Sequence, residues 1–125
     1  MTSDLRPAAL GYRMPAEWEP HAATWLSWPH NRDSWPRHFE PIPGIWAELV
    51  RTLSEHEPVH VLAGGEEVMA EASRMVGRLP NVTLHDIPTN DSWCRDHGPT
   101  FLSSNRADNP KSKIQNPKLP PALVD

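Results

Sequence analysis

Cysteine, glycine and long apolar runs are scarce in this chain of 125 residues, and each scarcity removes a class of function. The one cysteine, Cys94, leaves no internal disulfide framework, and no CxxC or CxxxH pair is present to hold structural zinc. The six glycines form neither a GxGxxG nor a GxxxxGK pattern, so no phosphate-cradling loop is expected. No stretch approaches the roughly 18 apolar residues that span a bilayer, and the opening Met1-Thr2-Ser3-Asp4-Leu5-Arg6-Pro7 has no apolar h-region. These features read as a soluble, cytoplasmic protein in a reducing compartment. Positive charge is also in short supply: 12 Lys and Arg against 16 Asp and Glu give a net charge of −4. Neither a nucleic-acid nor a membrane partner is expected from that balance, and a small cationic molecule suits it better.

What is present is organised along the chain. The length fits one domain with a core of its own. Of six tryptophans, Trp18, Trp25, Trp28, Trp35 and Trp46 fall within 29 consecutive residues, and the sixth is Trp93. Tryptophan packs in cores and also lines pockets for planar or cationic ligands. Residues 22–28 favour a strand that Pro29-His30-Asn31 stops, and the proline-rich stretch 29–43 reads as an irregular surface loop. Ile45, Trp46, Leu49, Val50 and Leu53 recur at helical spacing, which predicts a helix from near Pro43 to before Pro58 with these residues on its buried face. Val59–Ala63 reads as a strand, Gly64-Gly65 as a turn, 66–76 as a helix capped near Gly77, and Val82–Ile87 as a further strand. The order β-α-β-α-β predicts an α/β layer architecture. From Ser103 on, four prolines and three asparagines without any period predict a disordered tail. The four cations of that tail exceed its two aspartates, so the first 102 residues carry −6.

The segment Asn90-Asp91-Ser92-Trp93-Cys94-Arg95-Asp96-His97-Gly98-Pro99 concentrates the chemistry. Two carboxylates, a guanidinium, an imidazole, a thiol and an indole make poor core material, because each buried charge would need a partner. It is expected as a loop after a strand end, where α/β proteins commonly carry their sites. Asp91 and Asp96 beside Trp93 suit a planar cation, which a carboxylate grips in a two-pronged fork while an aromatic face covers it. On spacing alone, Arg95 pairing internally with an aspartate and Asp91 capping a turn fit equally well. Cys94 beside Arg95 and His97 raises a thiolate nucleophile, although an extended segment would put Cys94 and Asp96 on one face and the two cations on the other. A metal site from Asp91, Cys94, Asp96 and His97 mixes hard and soft donors without a recognised spacing. His21, His30, His38, His56, His60 and His85 are scattered and expected to be at the surface or locally hydrogen-bonded.

Two stretches in order, Met14-Pro15-Ala16-Glu17-Trp18-Glu19-Pro20-His21 with Thr24-Trp25-Leu26-Ser27-Trp28-Pro29, and Ile87-Pro88-Thr89-Asn90-Asp91-Ser92-Trp93 with Arg95-Asp96 and Gly98-Pro99, carry a resemblance. Residues 11–102 resemble the N-terminal part of the agmatine-deiminating Porphyromonas-type peptidyl-arginine deiminases, and the tail from Ser103 does not. The resemblance implies a pentein fold, an α/β propeller of five ββαβ-type modules, of which this chain would supply the first module and the start of the next. It implies hydrolysis of agmatine to N-carbamoylputrescine and ammonia on the route to putrescine, with a small guanidinium substrate and no metal or cofactor, and it leaves oligomerisation and peptidyl arginine as a substrate open. By the same resemblance Asp96 grips the guanidinium nitrogens, Trp93, Asp91 and Asn90 shape the substrate pocket, and Glu17 and Trp18 belong to its entrance, with Arg95 in structural pairing. The family's nucleophilic cysteine and catalytic histidine lie further along than this chain reaches, and Cys94 does not match the nucleophile. The expectation is therefore a truncated family member with little activity alone. A non-catalytic guanidinium-binding module, or a scaffold completed by a second chain, is the alternative.

Overall fold

The computed structural model describes residues 6–104 and the short strand Leu123–Val124. In chain order the elements are β1 (Tyr12–Arg13), β2 (Thr24–Ser27), a 3-10 turn (Arg32–Ser34), α1 (Ile42–Ser54), β3 (Val59–Leu62), α2 (Glu66–Val76), β4 (Val82–His85), α3 (Cys94–His97), β5 (Thr100–Phe101), β6 (Ser103–Ser104) and β7 (Leu123–Val124). They fall into two units, Pro20–Gly98 and a second made of Met1–Glu19 with Pro99–Asp125. The division lies at Glu19/Pro20 and Gly98/Pro99, whereas composition changes at Ser103.

In the unit Pro20–Gly98, β2, β3 and β4 form a parallel sheet in that order, with Val59 opposite Thr24 on one side and Val82 on the other. Connections between adjacent parallel strands are right-handed almost without exception, so two successive steps in one direction put both helices on one face. The core lies there: Val59 and Val61 of β3 pack with Ala47 and Val50 of α1 and with Ala72 and Val76 of α2. Trp28 closes the end of β2 at 0% exposure, and its indole N–H donates to Glu71 Oε2 at 2.9 Å, satisfying the one polar atom that burial would orphan. The opposite face of the sheet carries Trp25, His60 and His85.

The buried stripe of α1 differs from the expected one. Pro43, Ala47, Val50 and Ser54 are buried, Trp46 and Leu53 flank them, and Ile45 and Leu49 face outward at 57% and 39% exposure. A spacing of four, three and four is the helical repeat, and two of the buried positions, Ala47 and Ser54, are small. Hydrophobicity alone could not rank the two candidate stripes.

Two glycines set the exit of β3. A Cβ on Gly64 would stand 2.1 Å from Pro88 N, so a side chain is sterically impossible where the segment leaving β4 crosses the end of β3. Gly65 takes φ +96°, donates its N–H to Asp86 Oδ1 at 3.0 Å and accepts from Met69 N at the start of α2. Both contacts bring the residues after β4 over the C-terminal ends of β3 and β2.

In the other unit, β1 pairs antiparallel with β6, and β5 with β7. The tail from Ser103, expected without structure, thus pairs at Ser103–Ser104 and Leu123–Val124. Strands of two residues are too short to leave a period. The remainder of that expectation, on residues 105–122 and Asp125, lies outside the described residues. Arg13 donates both Nη atoms to Glu19, at 2.7 and 2.8 Å, and Ala16 N adds a third bond at 3.0 Å. The Arg13 hydrogen bonds, then the Ala16 amide, lower the Glu19 carboxyl from its ordinary 4.5 to about 2.

A carboxyl lowered by folding stabilises the fold above its unfolded value, and that contribution disappears as pH falls through the folded one. Glu19 should therefore lose its stabilising effect between pH 4.5 and about 2. An NMR titration of its carboxyl carbon should show the low midpoint, and Arg13→Gln should return it towards 4.5. In the core, Val61→Ala should cost about 2 kcal/mol in urea unfolding, whereas outward-facing Ile45→Ala should stay within about 0.5 kcal/mol.

Candidate functional site

The segment after β4 lies over the strand ends as a loop, the position expected for it, and closes in one helical turn at Cys94–His97. After Trp93 the chain winds into α3, with Asp96 N and His97 N donating to Trp93 O at 2.9 and 3.2 Å and Gly98 N to Cys94 O at 2.6 Å. The backbone satisfies itself within one turn, which a face-by-face reading of an extended strand could not anticipate. Pro88, Thr89, Asn90, Asp91, Trp93, Asp96 and His97 line one open pocket. Four of the six anticipated residues, Asn90, Asp91, Trp93 and Asp96, come together there. Glu17 and Trp18 belong to the other unit, where both are exposed and Trp18 reaches 89%. Pro88 and Thr89 are lining residues not singled out as site candidates from the sequence, and His97, raised there as a metal ligand and a neighbour of the thiol, lines the pocket too.

The two aspartates hold different positions in this arrangement. Asp91 spends both oxygens on structure: Oδ1 accepts the Ser92 N–H at 2.7 Å and Oδ2 the Ser34 hydroxyl at 2.7 Å. The turn-capping role weighed for Asp91 is thus present, with Ser34 as a second partner. Asp96 is exposed, and its carboxylate makes no hydrogen bond or ion pair among the described residues. Of the two carboxylates that line the pocket, Asp96 is therefore the one whose oxygens are available to a ligand.

The loop before α1 supports the pocket from beneath. Asn31 caps the 3-10 turn by accepting from Asp33 N at 3.0 Å, and its Nδ2 donates to Asn90 O at 3.3 Å. Trp35 lies against Trp93 with ring centroids 5.4 Å apart, and Trp46 meets Trp93 edge-on at 6.3 Å. Trp35 and Trp46 also contact each other edge-on at 6.1 Å. Three tryptophans separated in sequence thus form one cluster, while Trp93 keeps 45% of its surface exposed. The buried indole nitrogen of Trp46 has no hydrogen-bond acceptor among the described residues.

The thiol is directed elsewhere. Cys94 Sγ lies 3.1 Å from Ser27 Oγ, which is fully buried at the end of β2, and this contact ties α3 to the sheet. The pocket lining contains Asp96 and His97 but not Cys94. Among the described residues no group of three or more His, Cys, Asp or Glu is placed to hold a metal ion, so Asp91, Cys94, Asp96 and His97 do not converge as ligands. Nor is any described helix long and apolar enough to cross a membrane.

Comparison with known proteins follows the same residues. The family model for Porphyromonas-type peptidyl-arginine deiminase matches residues 13–116, running past residue 102. An agmatine deiminase of Pseudomonas aeruginosa (strain LESB58) is 36% identical over 102 residues, which cover 82% of this chain and 27% of that protein. The agmatine deiminase of C. jejuni superposes with a TM-score of 0.64 at 26% identity, over 75% of this chain and 28% of that one. A cysteine-to-serine variant of the C. jejuni enzyme with substrate bound gives a TM-score of 0.62 at 26% identity, over 75% of this chain and 27% of the other. The chain thus spans about a quarter of the length of these relatives.

Ser34→Ala should remove a hydrogen bond to a charged acceptor, at a cost of about 1.5 kcal/mol in thermal unfolding. Hydrogen exchange at the Ser92 amide should accelerate in the same variant, because Asp91 would lose the partner that orients it.

Proposed function

Because this chain belongs to the Porphyromonas-type peptidyl-arginine deiminase family, we propose that its pocket supplies the guanidinium-gripping part of an agmatine deiminase site. The available carboxylate of Asp96, on the same pocket wall as the half-exposed ring of Trp93, carries this reading. A guanidinium is planar and presents paired N–H donors, so a carboxylate takes it edge-on while an indole covers its face. The net charge of −6 on the first 102 residues favours a cationic ligand over an anionic one. Asp91 acts at one remove, holding the turn through Ser34 and Ser92, and Asn90 is placed by Asn31.

In that enzyme a cysteine thiolate attacks the guanidinium carbon, ammonia leaves, and water cleaves the amidino-thioether. Agmatine and water thereby become N-carbamoylputrescine and ammonia, with a histidine moving the protons. Asp96 orients the planar carbon and holds the cation during attack. The nucleophile and the histidine belong to the portion of the relatives that this chain does not span, as do the further modules of a pentein propeller. This chain carries the guanidinium-gripping residues of that reaction.

Calorimetry with agmatine on the 125-residue chain tests this reading. Saturable heat is expected, and Asp96→Asn should weaken binding about tenfold or more, the scale of a lost charge-assisted hydrogen bond. Equal heats for the two proteins, or no heat at millimolar agmatine, would overturn it.

A further inference from the structure

We propose that His60 and His85 form a two-imidazole site for a divalent transition-metal ion that favours right-angle coordination, Cu2+ or Ni2+, with Trp25 as its roof. The register of β3 and β4 sets His60 opposite Thr83 and Leu62 opposite His85, so the two histidines are diagonal neighbours on the face away from α1 and α2. Diagonal residues lie about 7–8 Å apart at the backbone, within reach of aromatic side chains. Trp25 stands opposite His60 on β2. Its ring stacks on both imidazoles, at 4.4 Å and 15° to His60 and at 4.9 Å and 24° to His85. Lying under one indole, the two imidazoles are tilted by only 32°, and His60 Nδ1 is 2.8 Å from His85 Nε2.

The separation, set by the hydrogen bond of the ion-free pair, lies nearer one coordination angle than the other. Two nitrogens each about 2.0 Å from a common ion stand about 2.8 Å apart at a right angle and about 3.3 Å apart at a tetrahedral one. The 2.8 Å of the hydrogen-bonded pair equals the right-angle spacing, so tetragonal Cu2+ or Ni2+ requires the rings to turn but not to part, whereas tetrahedral Zn2+ requires both. Cu2+ also heads the affinity order for nitrogen donors. Without an ion the two nitrogens share one N–H as a hydrogen bond. To bind one, the donor ring moves its proton to its outer nitrogen, so each ring turns a lone pair inward and two neutral imidazoles release no net proton. Water reaches the remaining coordination positions, since Thr83 is exposed and Trp25 is 45% exposed. The site rests on the strand register and is independent of the guanidinium pocket.

Titration of the full chain with Cu2+ at neutral pH, followed by electron paramagnetic resonance, tests the proposal. One equivalent should bind with two nitrogens in the equatorial plane. His60→Gln and His85→Gln should each reduce that count to one and weaken binding about tenfold or more, while His38→Gln changes neither. Unchanged affinity and nitrogen count in both variants, loss in only one of them, or no uptake below millimolar Cu2+ would overturn it. Should a variant fail to fold, ring-proton NMR of the unsubstituted chain decides the matter. Substoichiometric Cu2+ should broaden His60 and His85 first, and earlier broadening of other histidines overturns the site.

Discussion

The crossing of Pro88 over Gly64 is the constraint on which the pocket depends. Because Gly64 carries no Cβ, the Pro88 backbone can pass against it, and the chain leaving β4 crosses the end of β3 instead of turning away from the sheet. Asp86 reinforces the crossing by accepting the Gly65 N–H. The next ten residues must then fold above the C-terminal ends of β2 and β3, where open α/β sheets bind their ligands. The contact between Cys94 and Ser27 ties the far end of that segment to β2. A rigid core beneath, from Trp28 to Val61 and Val76, keeps these points of attachment in register.

On that platform, two identical side chains acquire opposite roles through their partners. Asp91 receives a hydroxyl and an amide, which fix its carboxylate in the turn without neutralising it. Asp96, one turn later, has no such partners among the described residues and presents its carboxylate to the pocket. Trp93 shows the same division within a single ring: Trp35 and Trp46 fix its position while nearly half its surface stays open. The unusual run of tryptophans is thereby explained in part, since two of the five early ones reach the sixth and serve the site.

Much of the fold was legible because its signals are local and repeated. The strand at Val59–Leu62, the helix Glu66–Val76 and the turn between them follow from β-branched alternation, acidic residues at a helix start and a glycine pair. Less legible was the direction in which α1 faces. Its helical period admits two stripes, and the buried one holds Ala47 and Ser54 rather than the larger Ile45 and Leu49. Burial falls there on small and polar side chains as well as on large apolar ones, and no count of hydrophobic positions contains that information. The pairing of Ser103–Ser104 with Tyr12–Arg13 was equally hidden, since two-residue strands have no period.

The sequence by itself determined the α/β order of the Pro20–Gly98 unit, the family, and the segment that holds the pocket, because hydrophobic period, glycine placement and a dense polar motif are written in neighbouring residues. Tertiary structure alone decided which aspartate is engaged and which is available, that Cys94 turns to Ser27, and that His60 and His85 meet under Trp25. Each of these depends on side chains 25 or more residues apart being brought within hydrogen-bond reach. Strand register and the Gly64 crossing do that, and a linear reading has no measure of either distance.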